Sequence, residues 1–422
     1  MKKQEVVTVS LFIKNVMVFD GSGNMPMGSA TVIVEGDKIN KVGPSDEIEV
    51  PDEPNSCTHV IDGEGRFLMP GMVDCHVHIT GSSDPDQLRA LKELVPHAAI
   101  RSTINAKNTL EAGFTAVRDA GGGNLVDVAL KQAIAEGLVS GPRLQVALRG
   151  LSITGGHGDS RNGWPPEIEF KGRYVVDSPD EARRAAREQL RDGADHIKLH
   201  ATGGVMSEGD VPTARGLTIE EMRAAIEEAH NVGKKAMAHA QGSVGIKNAI
   251  LAGISSIEHG FYLTDEIIEL MLKNDVFLVP TLCAVHHIVE KGTEAGIPEY
   301  GVRKAREAQA AHIASFFRAY KAGVKIAMGT DAATPFNHHG KNALELELMV
   351  KAGMKPVDAL VSTTSRAAEL MGCKDRMGQI KPGFWADLIL VEGNPLEDIK
   401  VLKDKDNIKL VVKAGKIEVD RR

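Results

Sequence analysis

Two histidines, His76 and His78, stand two positions apart in residues 70–80, whose sequence is PGMVDCHVHIT. In an extended strand, successive side chains alternate between faces, so both imidazoles project to the same side and could bind one ion. The apolar residues around them and the Pro-Gly pair before them predict a buried parallel strand rather than a surface loop. An isolated pair of this spacing is usually structural, so the surrounding elements must decide its role.

Eight apolar runs alternate with helical patterns through the middle of the chain: MVDCHVHI, FTAVRDA, RLQVALRG, HIKLHATGG, KKAMAHA, ISSIEHG, VFLVPTL and KIAMGTDA. This alternation is typical of βα units and a parallel sheet, and eight is the strand number of a (β/α)8 TIM barrel. Active sites of barrel enzymes lie at the carboxyl ends of the strands. Polar residues occur at five of these ends, namely His76 and His78, Lys198 and His200, His239, His259, and Asp331.

Imidazoles and carboxylates gathered at strand ends suit zinc or a similar divalent ion, and two such ions need a shared anionic bridge. The fourth strand end offers Lys198 and no glutamate. A lysine beside metal ions has a lowered pKa, and its neutral amine could take up carbon dioxide to become a bridging carbamate. Each residue also has an ordinary structural interpretation: a core histidine, a buried ion-pair partner for Lys198, or a helix N-cap for Asp331.

Both ends of the chain are β-rich. VIVEGDKI near the start and LVVKAGKI near the finish are both strand-turn-strand patterns. We therefore predict an α/β protein with a small β-sandwich domain from residues 1–67 and 380–422, and a barrel over residues 68–379. Two unrelated hairpins are the alternative. Among the barrel helices, Thr218 and Glu221 form the sequence pattern of a capping box, and a helix ending in AYKAG is expected to stop at its glycine.

Composition narrows the functional class. The 422 residues are 42% hydrophobic and 25% charged, with a dispersed net charge of −7. This balance argues against a nucleic-acid footprint, and no segment approaches a membrane span. Four widely spaced cysteines, Cys57, Cys75, Cys283 and Cys373, indicate neither a disulfide framework nor a zinc knuckle. With no cleavage signal after the first residues, we expect a cytoplasmic protein that forms a homo-oligomer and binds a small-molecule substrate.

The ordered motifs resemble the amidohydrolase superfamily over nearly the whole chain. The likeness rests on PG-x-VD-x-H-x-H at residues 70–78 and on HIKLHATGG, MAHAQG, IEHG and GTDA. The resemblance implies a TIM barrel with two divalent metal ions, expected to be zinc, and a hydroxide nucleophile whose proton Asp331 takes and passes to the leaving group. It implies this ligand set: His76, His78 and Asp331 on one ion, His239 and His259 on the other, and carboxylated Lys198 as the bridge.

A closer likeness, carried by TGGHGD at 154–159 and HATGGVMSEGD at 200–210, is to the dipeptidases and carboxypeptidases of the imidazolonepropionase-like branch, including Xaa-Pro dipeptidases. It makes His157 the candidate for polarising the scissile carbonyl. Related members often carry tyrosine two residues after the fifth-strand histidine, where this chain has Gln241. Candidate contacts for a substrate carboxylate at the cavity are Arg149, His157, Gln241 and His287.

The first functional hypothesis is hydrolysis of a dipeptide or an N-acyl amino acid whose leaving residue is uncharged, with proline or another apolar residue favoured. The loop TLCAVHHIV offers no acid before Glu290, and a buried unpaired cation is costly. A carboxypeptidase for C-terminal arginine or lysine is the alternative, as is a lactonase or cyclic-imide hydrolase. A catalytically silent scaffold is a further hypothesis that the intact ligand set disfavours.

Overall fold

The computed structural model describes residues 10–51, 58–86, 89, 92–165, 167, 168 and 174–422. It is an α/β structure in which parallel strands alternate with helices between two β-rich ends. The strands are β1 Ser10–Val18, β2 Met27–Glu35, β3 Lys38–Pro44, β4 Thr58–Asp62, β5 Phe67–Pro70, β6 Met72–Val77, β7 Phe114–Asp119, β8 Arg143–Val146, β9 Leu151–Ser152, β10 Tyr174–Val175, β11 His196–His200, β12 Lys235–Ala240, β13 Ser256–His259, β14 Phe277–Val279, β15 Leu388–Val391, β16 Ile408–Lys413 and β17 Lys416–Asp420.

The helices in the described part of the chain lie mostly between the parallel strands. They are α1 Val95–Glu111, α2 Val126–Ala135, α3 Pro179–Arg191, α4 Ile219–Asn231, α5 Ser243–Ala252, α6 Asp265–Lys273, α7 Leu282–Lys291, α8 Glu299–Ala322, α9 Leu344–Lys351, α10 Pro356–Ser362 and α11 Ser365–Leu370. Short 3₁₀ turns cover Ser45–Glu47, Thr293–Ala295, Ile399–Lys403 and Lys405–Asn407.

Strands from both ends of the chain form one eight-stranded sheet, in the order β17-β16-β15-β5-β1-β2-β3 with β4 paired to β1. Apolar side chains from both ends of the chain pack together in one buried cluster, which includes Ile13, Val32, Leu390 and Leu410. The common sheet confirms a joint terminal unit and excludes two unrelated hairpins. The pairing is continuous from one end of the chain to the other, because β5 pairs with β1 on one side and β15 on the other, and the sandwich arrangement stays a prediction. The domain boundaries stay a prediction.

The middle of the chain forms two parallel sheets, β6-β7-β8 and β10-β9-β11-β12-β13-β14. Seven of the eight predicted runs are strands here. Residues 325–332, the eighth run, form isolated parallel bridges instead, Leu278 with Ile326 and Val77 with Ala332. This run therefore lies between β14 and β6. The carboxyl ends of neighbouring parallel strands meet at one edge, where the predicted site residues lie.

Short sequence patterns account for where the helices begin and end and which face they bury. The capping box at the start of α4 is confirmed, since Glu221 N–H donates to Thr218 Oγ1 at 3.2 Å and Thr218 N–H donates to the Glu221 carboxylate at 2.8 Å. Helix α8 ends at Ala322, and the residue that follows it, Gly323, has a φ of +90° that favours glycine. Three alanines of α3 at positions 182, 185 and 186 lie on its buried face, as the spacing of an amphipathic helix requires.

Cys75 and Cys283 are buried free thiols, and Cys373 is partly buried. Cys57 lies outside the described residues. Across the part of the chain that the structure describes, no helix combines the length and apolar character needed to span a membrane.

Candidate metal centre

The first candidate ion site lies where β6 ends, beside Asp331. The Nε2 atoms of His78 and His76 lie 3.2 Å and 3.5 Å from Asp331 Oδ1. One ligand atom from each residue lies within 4.8 Å of the other two. Asp331 Oδ1 is buried without a hydrogen-bond partner.

The other ring nitrogen of each histidine contacts a group that can only accept. His76 Nδ1 lies 2.7 Å from the Glu258 carboxylate, and His78 Nδ1 lies 2.9 Å from the Gly121 carbonyl. Nδ1 of each ring therefore carries a proton, and each Nε2 faces the Asp331 carboxylate oxygen. Burial, reinforced by Lys198, holds the pKa of His76 well below its usual range. Two imidazole nitrogens and a carboxylate oxygen that converge in this way fit a bound cation.

The second group of predicted ligands adjoins the first. Lys198 Nζ lies 3.4 Å from His76 Nε2. The His259 ring centroid lies 5.1 Å from that of His76 and 4.6 Å from that of His239. Lys198, His239 and His259 are at most 4% exposed and line the same cavity of about 440 Å³ as the first group. The structure thus brings together all six residues predicted as metal ligands.

The two histidines of this second group present different nitrogens. Thr281 Oγ1 donates to the Pro280 carbonyl at 2.7 Å, so it accepts from His259 Nδ1 at 2.7 Å and leaves His259 Nε2 as the ligand atom. His239 is reversed, because its Nε2 lies 2.9 Å from the Gly203 carbonyl and Nδ1 is left to ligate. Burial, reinforced by His239, holds the pKa of His259 well below its usual range. The His259 ring is therefore neutral, and each of the two rings directs one nitrogen that suits a divalent ion.

Three residues of the site adopt left-handed backbone conformations that side chains other than glycine rarely take. His259 has a φ of +74°, Thr281 +53° and Asp331 +59°. Such conformations are costly, above all for a β-branched residue, and persist only where surrounding contacts enforce them. Here Asp331 N–H donates to the His76 carbonyl at 2.7 Å, which ties the turn to strand β6. The backbone bends so that these side chains reach the cavity.

A buried ion pair behind His76 was not predicted from the sequence. Glu258 accepts from Arg118 Nη2 at 2.9 Å as well as from His76, and Arg118 Nε donates to the Cys75 carbonyl at 2.7 Å. The Glu258 and Arg118 side chains are 0% and 2% exposed. A carboxylate behind a ligating histidine fixes its tautomer and orientation. The signal was present as charged residues inside apolar strands, at the position before His259 in IEHG and within FTAVRDA.

Two of the predicted substrate contacts line the cavity. The His157 ring stacks on His239 with centroids 4.2 Å apart, and its Nδ1 lies 2.7 Å from Ser207 Oγ. Gln241 is 4% exposed, and its Oε1 is buried without a hydrogen-bond partner. His200, noted at a strand end but given no role, also lines the cavity and lies 5.6 Å from the His157 ring.

The structure does not bring Arg149 and His287 into the described lining. The Arg149 guanidinium lies 4.7 Å from the Tyr174 ring centroid, a cation–π contact. His287 lies on α7, but Ala284, Val285 and Ile288 form the face of that helix that lines the cavity. Burial lowers the pKa of His287 to about 4, so it is neutral at neutral pH. Their role as contacts for a substrate carboxylate stays a prediction.

Carboxylates dominate the remaining charge of the cavity. Asp84, Asp86, Asp159 and Glu208 contribute to its wall, whereas Lys198 is the one lysine or arginine among the described lining residues. An uncharged leaving residue was expected because the loop after β14 has no acid before Glu290. Loops after β6, β9 and β11 supply acids to the cavity, so the lack of an acid in the loop after β14 does not exclude a basic leaving residue.

Comparison with known proteins agrees with this geometry. Residues 67–417 match the model of the amidohydrolase family. The chain is 32% identical over 424 aligned residues to ochratoxinase from Aspergillus niger, covering 95% of this chain and 85% of that protein. It is 26% identical to imidazolonepropionase from Streptomyces griseus, with 88% of each chain covered. The crystal structure of a Xaa-Pro dipeptidase with methionine bound in its active site matches with a TM-score of 0.89 and 34% identity, over 97% of this chain and 99% of that one.

The chain therefore belongs to the amidohydrolase family. It is a hydrolase that acts on carbon–nitrogen bonds, and its solved neighbours confirm the predicted likeness to Xaa-Pro dipeptidases.

Proposed function

We propose that this protein is a binuclear metal-dependent hydrolase that cleaves the amide bond of dipeptides or N-acyl amino acids. The observation that carries the proposal is the convergence of the His76 and His78 Nε2 atoms on the buried Asp331 Oδ1 atom. In this proposal the parallel strands close into an eight-membered barrel, with the run at 325–332 joining β14 to β6. The homo-oligomeric state and the cytoplasmic location stay predictions.

Six side chains would hold two divalent ions, probed here as zinc. His76, His78 and Asp331 would take one ion, and His239 Nδ1 and His259 Nε2 the other. Lys198 would bridge them after its neutral amine adds to carbon dioxide, which forms an N–C bond, releases one proton and leaves a carboxylate. When bound, the ions would supply Lewis acidity and lower the pKa of a water molecule.

The protein's own groups would then handle the proton. The ionised Asp331 carboxylate would take a proton from the nucleophile and pass it to the leaving nitrogen. His76 would keep its orientation through the Glu258–Arg118 pair. The apolar Val205, Phe261 and Val285 in the lining would exclude water from the reacting bond.

The substrate class rests on relatives and on the lining. The Xaa-Pro dipeptidase neighbour, which has methionine in its active site, supports proline or another apolar leaving residue. The four carboxylates in the wall favour a second candidate, a carboxypeptidase for C-terminal arginine or lysine, since each could pair with a cationic side chain. A lactonase or cyclic-imide hydrolase would use the same centre.

The test is hydrolysis by the zinc-loaded protein of three dipeptides that share an N-terminal residue and end in Pro, Leu or Arg, together with their N-acetyl forms and a lactone. We expect amide cleavage, and the order of kcat/KM identifies the leaving residue. A clear preference for Arg selects the second candidate. Turnover of the lactone alone, or of nothing by protein that holds two zinc ions per chain, would contradict the proposed activity.

A further inference from the structure

Two histidines and a glutamate on helix α7 form a second cluster of metal-binding side chains, which we call the α7 cluster. His286 Nε2 lies 3.7 Å and His287 Nδ1 lies 3.8 Å from Glu290 Oε2. One ligand atom from each of the three residues lies within 4.8 Å of the other two. The first candidate ion site, beside strand β6, has the same property.

The spacing of the α7 cluster suits a shared ion better than a hydrogen-bonded group. Separations of 3.7 Å and 3.8 Å are too long for hydrogen bonds. Two ligand atoms bound to zinc at tetrahedral angles lie roughly 3.3–3.5 Å apart, given zinc–ligand bonds of about 2.0–2.2 Å. The Glu290 side chain is 53% exposed, so it is free to turn and close this small difference.

His287 supplies the observation that points most directly to a ligand. Its side chain is 14% exposed, and within the described part of the chain its buried Nδ1 atom has no hydrogen-bond partner. Burial, reinforced by His286, lowers the pKa of His287 to about 4, so the ring is neutral at neutral pH and has a lone pair to donate. A buried polar atom without a partner costs free energy, and an ion bound at Nδ1 would offset that cost.

The α7 cluster lies on the side of the helix that faces away from the candidate metal centre. His286 and Glu290 are about one helical turn apart, and so are Ala284 and Ile288, which line the cavity. The two pairs are offset by two positions, which is about 200° around the helix axis. They therefore face opposite sides of α7, and an ion held by the α7 cluster is separate from the two ions proposed at the strand ends.

We propose that the α7 cluster is an additional zinc site, in which two imidazole nitrogens and one carboxylate oxygen bind the ion and water completes its coordination. Two histidines and a glutamate with one open position form a known zinc ligand set. Lys291 Nζ lies 3.9 Å from the same Glu290 oxygen and competes for it, although an exposed ion pair of this kind contributes little. The site is therefore weaker than the strand-end centre and fills only when protein that already holds its strand-end ions is given excess zinc.

Zinc uptake by matched variants tests the proposal. Zinc-loaded protein, freed of excess metal, is dialysed against rising concentrations of buffered free zinc, and bound zinc is measured by elemental analysis. We expect the wild type to take up one more ion per chain than His286→Gln or Glu290→Gln, whose replaced side chains are 36% and 53% exposed and do not support the core. Zinc affinity should fall at least about 10-fold, since even groups that only orient a ligand are worth about 10–100-fold.

His97→Gln is the matched control. His97 is also four positions from a carboxylate, that of Glu93, but this carboxylate already accepts from Arg101 Nη2 at 2.7 Å. We expect His97→Gln to take up as much zinc as the wild type. Equal uptake by the wild type and either α7 variant, or loss of the additional ion in His97→Gln, would overturn the proposal. The comparison measures a difference between proteins, so it holds whether or not the strand-end centre binds two ions.

Histidine NMR locates the additional ion. In ¹⁵N-histidine-labelled protein, the ring signals of His286 and His287 are assigned by their loss in His286→Gln and His287→Gln. We expect excess zinc to shift both of these signals and to leave that of His97 in place. Shifts that omit His287, or that appear equally in Glu290→Gln, would contradict an ion held jointly by the three side chains.

Discussion

Two walls of the cavity are held in place by different contacts. The strand-end wall consists of the proposed metal ligands at the strand ends, and the loop wall consists of His157 and Ser207. The ligands on β6, β11, β12 and β13 are fixed by parallel ladders and by buried partners such as Glu258 and Thr281. His157 lies on a loop, and its position depends on the side chain of Ser207. Ser207 is in turn bound by Lys304, which lies 97 residues beyond Ser207 in the chain. The first wall is suited to holding ions and the second to adjusting to a substrate.

This difference predicts that changes in the strand-end wall remove metal, whereas changes in the loop wall reduce turnover and leave the metal content intact. Each variant is judged by metal content and by kinetics measured on the same sample.

The largest effect is expected for Lys198→Ala, because loss of the bridging group leaves two cations without a shared anion. Metal content should fall well below two ions per chain, and activity should be nearly abolished. Lys247→Ala removes an exposed lysine that pairs with Glu266 on the surface and serves as the control. Elemental analysis that finds two ions per chain in Lys198→Ala, with wild-type kcat, would reject the bridge.

Asp331→Asn is expected to lower kcat by about 10²–10⁴-fold, the usual contribution of a general acid–base group. Part of the loss can come from a weakened ion site, so kcat is compared at equal metal content. The control is Asp265→Asn, whose carboxylate is 87% exposed. Near-normal turnover by fully metallated Asp331→Asn would assign the proton transfer to another group.

Glu258→Gln tests the support behind His76. The amide can no longer hold the His76 Nδ1 proton as a carboxylate does, and Arg118 loses its anionic partner. We expect metal affinity to fall about 10–100-fold. Competition with a chelator measures it, and Glu266→Gln on the surface is the control. Unchanged affinity would mean that the strand ladder alone orients His76.

Gly204→Ala is aimed at the loop wall alone. The added methyl group collides with the His157 ring, so the ring must shift. We expect both metal ions to remain and kcat/KM to fall by up to about 100-fold, since small misplacements beside a reacting bond can cost that much. Gly209→Ala is the control in the same loop, because nothing lies within 4 Å of the position of its added Cβ atom, although its φ of +82° adds backbone strain. Loss of metal in Gly204→Ala would break the distinction between the two walls.

The sequence was informative where regular structure places the residues. Period-two strands and their carboxyl ends predicted the gathering of His76, His78, Lys198, His239, His259 and Asp331, and capping chemistry predicted the start of α4. The eighth run was predicted as a strand, but its bridges to β14 and β6 are isolated. Glu258 and Arg118 escaped notice because a charged residue within an apolar run has no partner visible in the sequence.

The loop wall was harder to predict, since its contacts join residues far apart in the chain. Arg149 was expected at the cavity, but its guanidinium lies over the ring of Tyr174. His287 follows the helical repeat of α7 away from the face that lines the cavity. The acids of the wall come from three different loops, so the search of one loop for a carboxylate could not find them. Side-chain direction in loops depends on tertiary contacts that no local pattern encodes.

The most direct test of the binuclear centre is a crystal structure of the zinc-loaded protein with anomalous diffraction measured on both sides of the zinc absorption edge. We expect two zinc peaks, one among His76, His78 and Asp331 and the other between His239 and His259, with continuous density for a carboxylated Lys198 between them. A single peak, peaks away from these side chains, or an unmodified Lys198 beside two ions would contradict it.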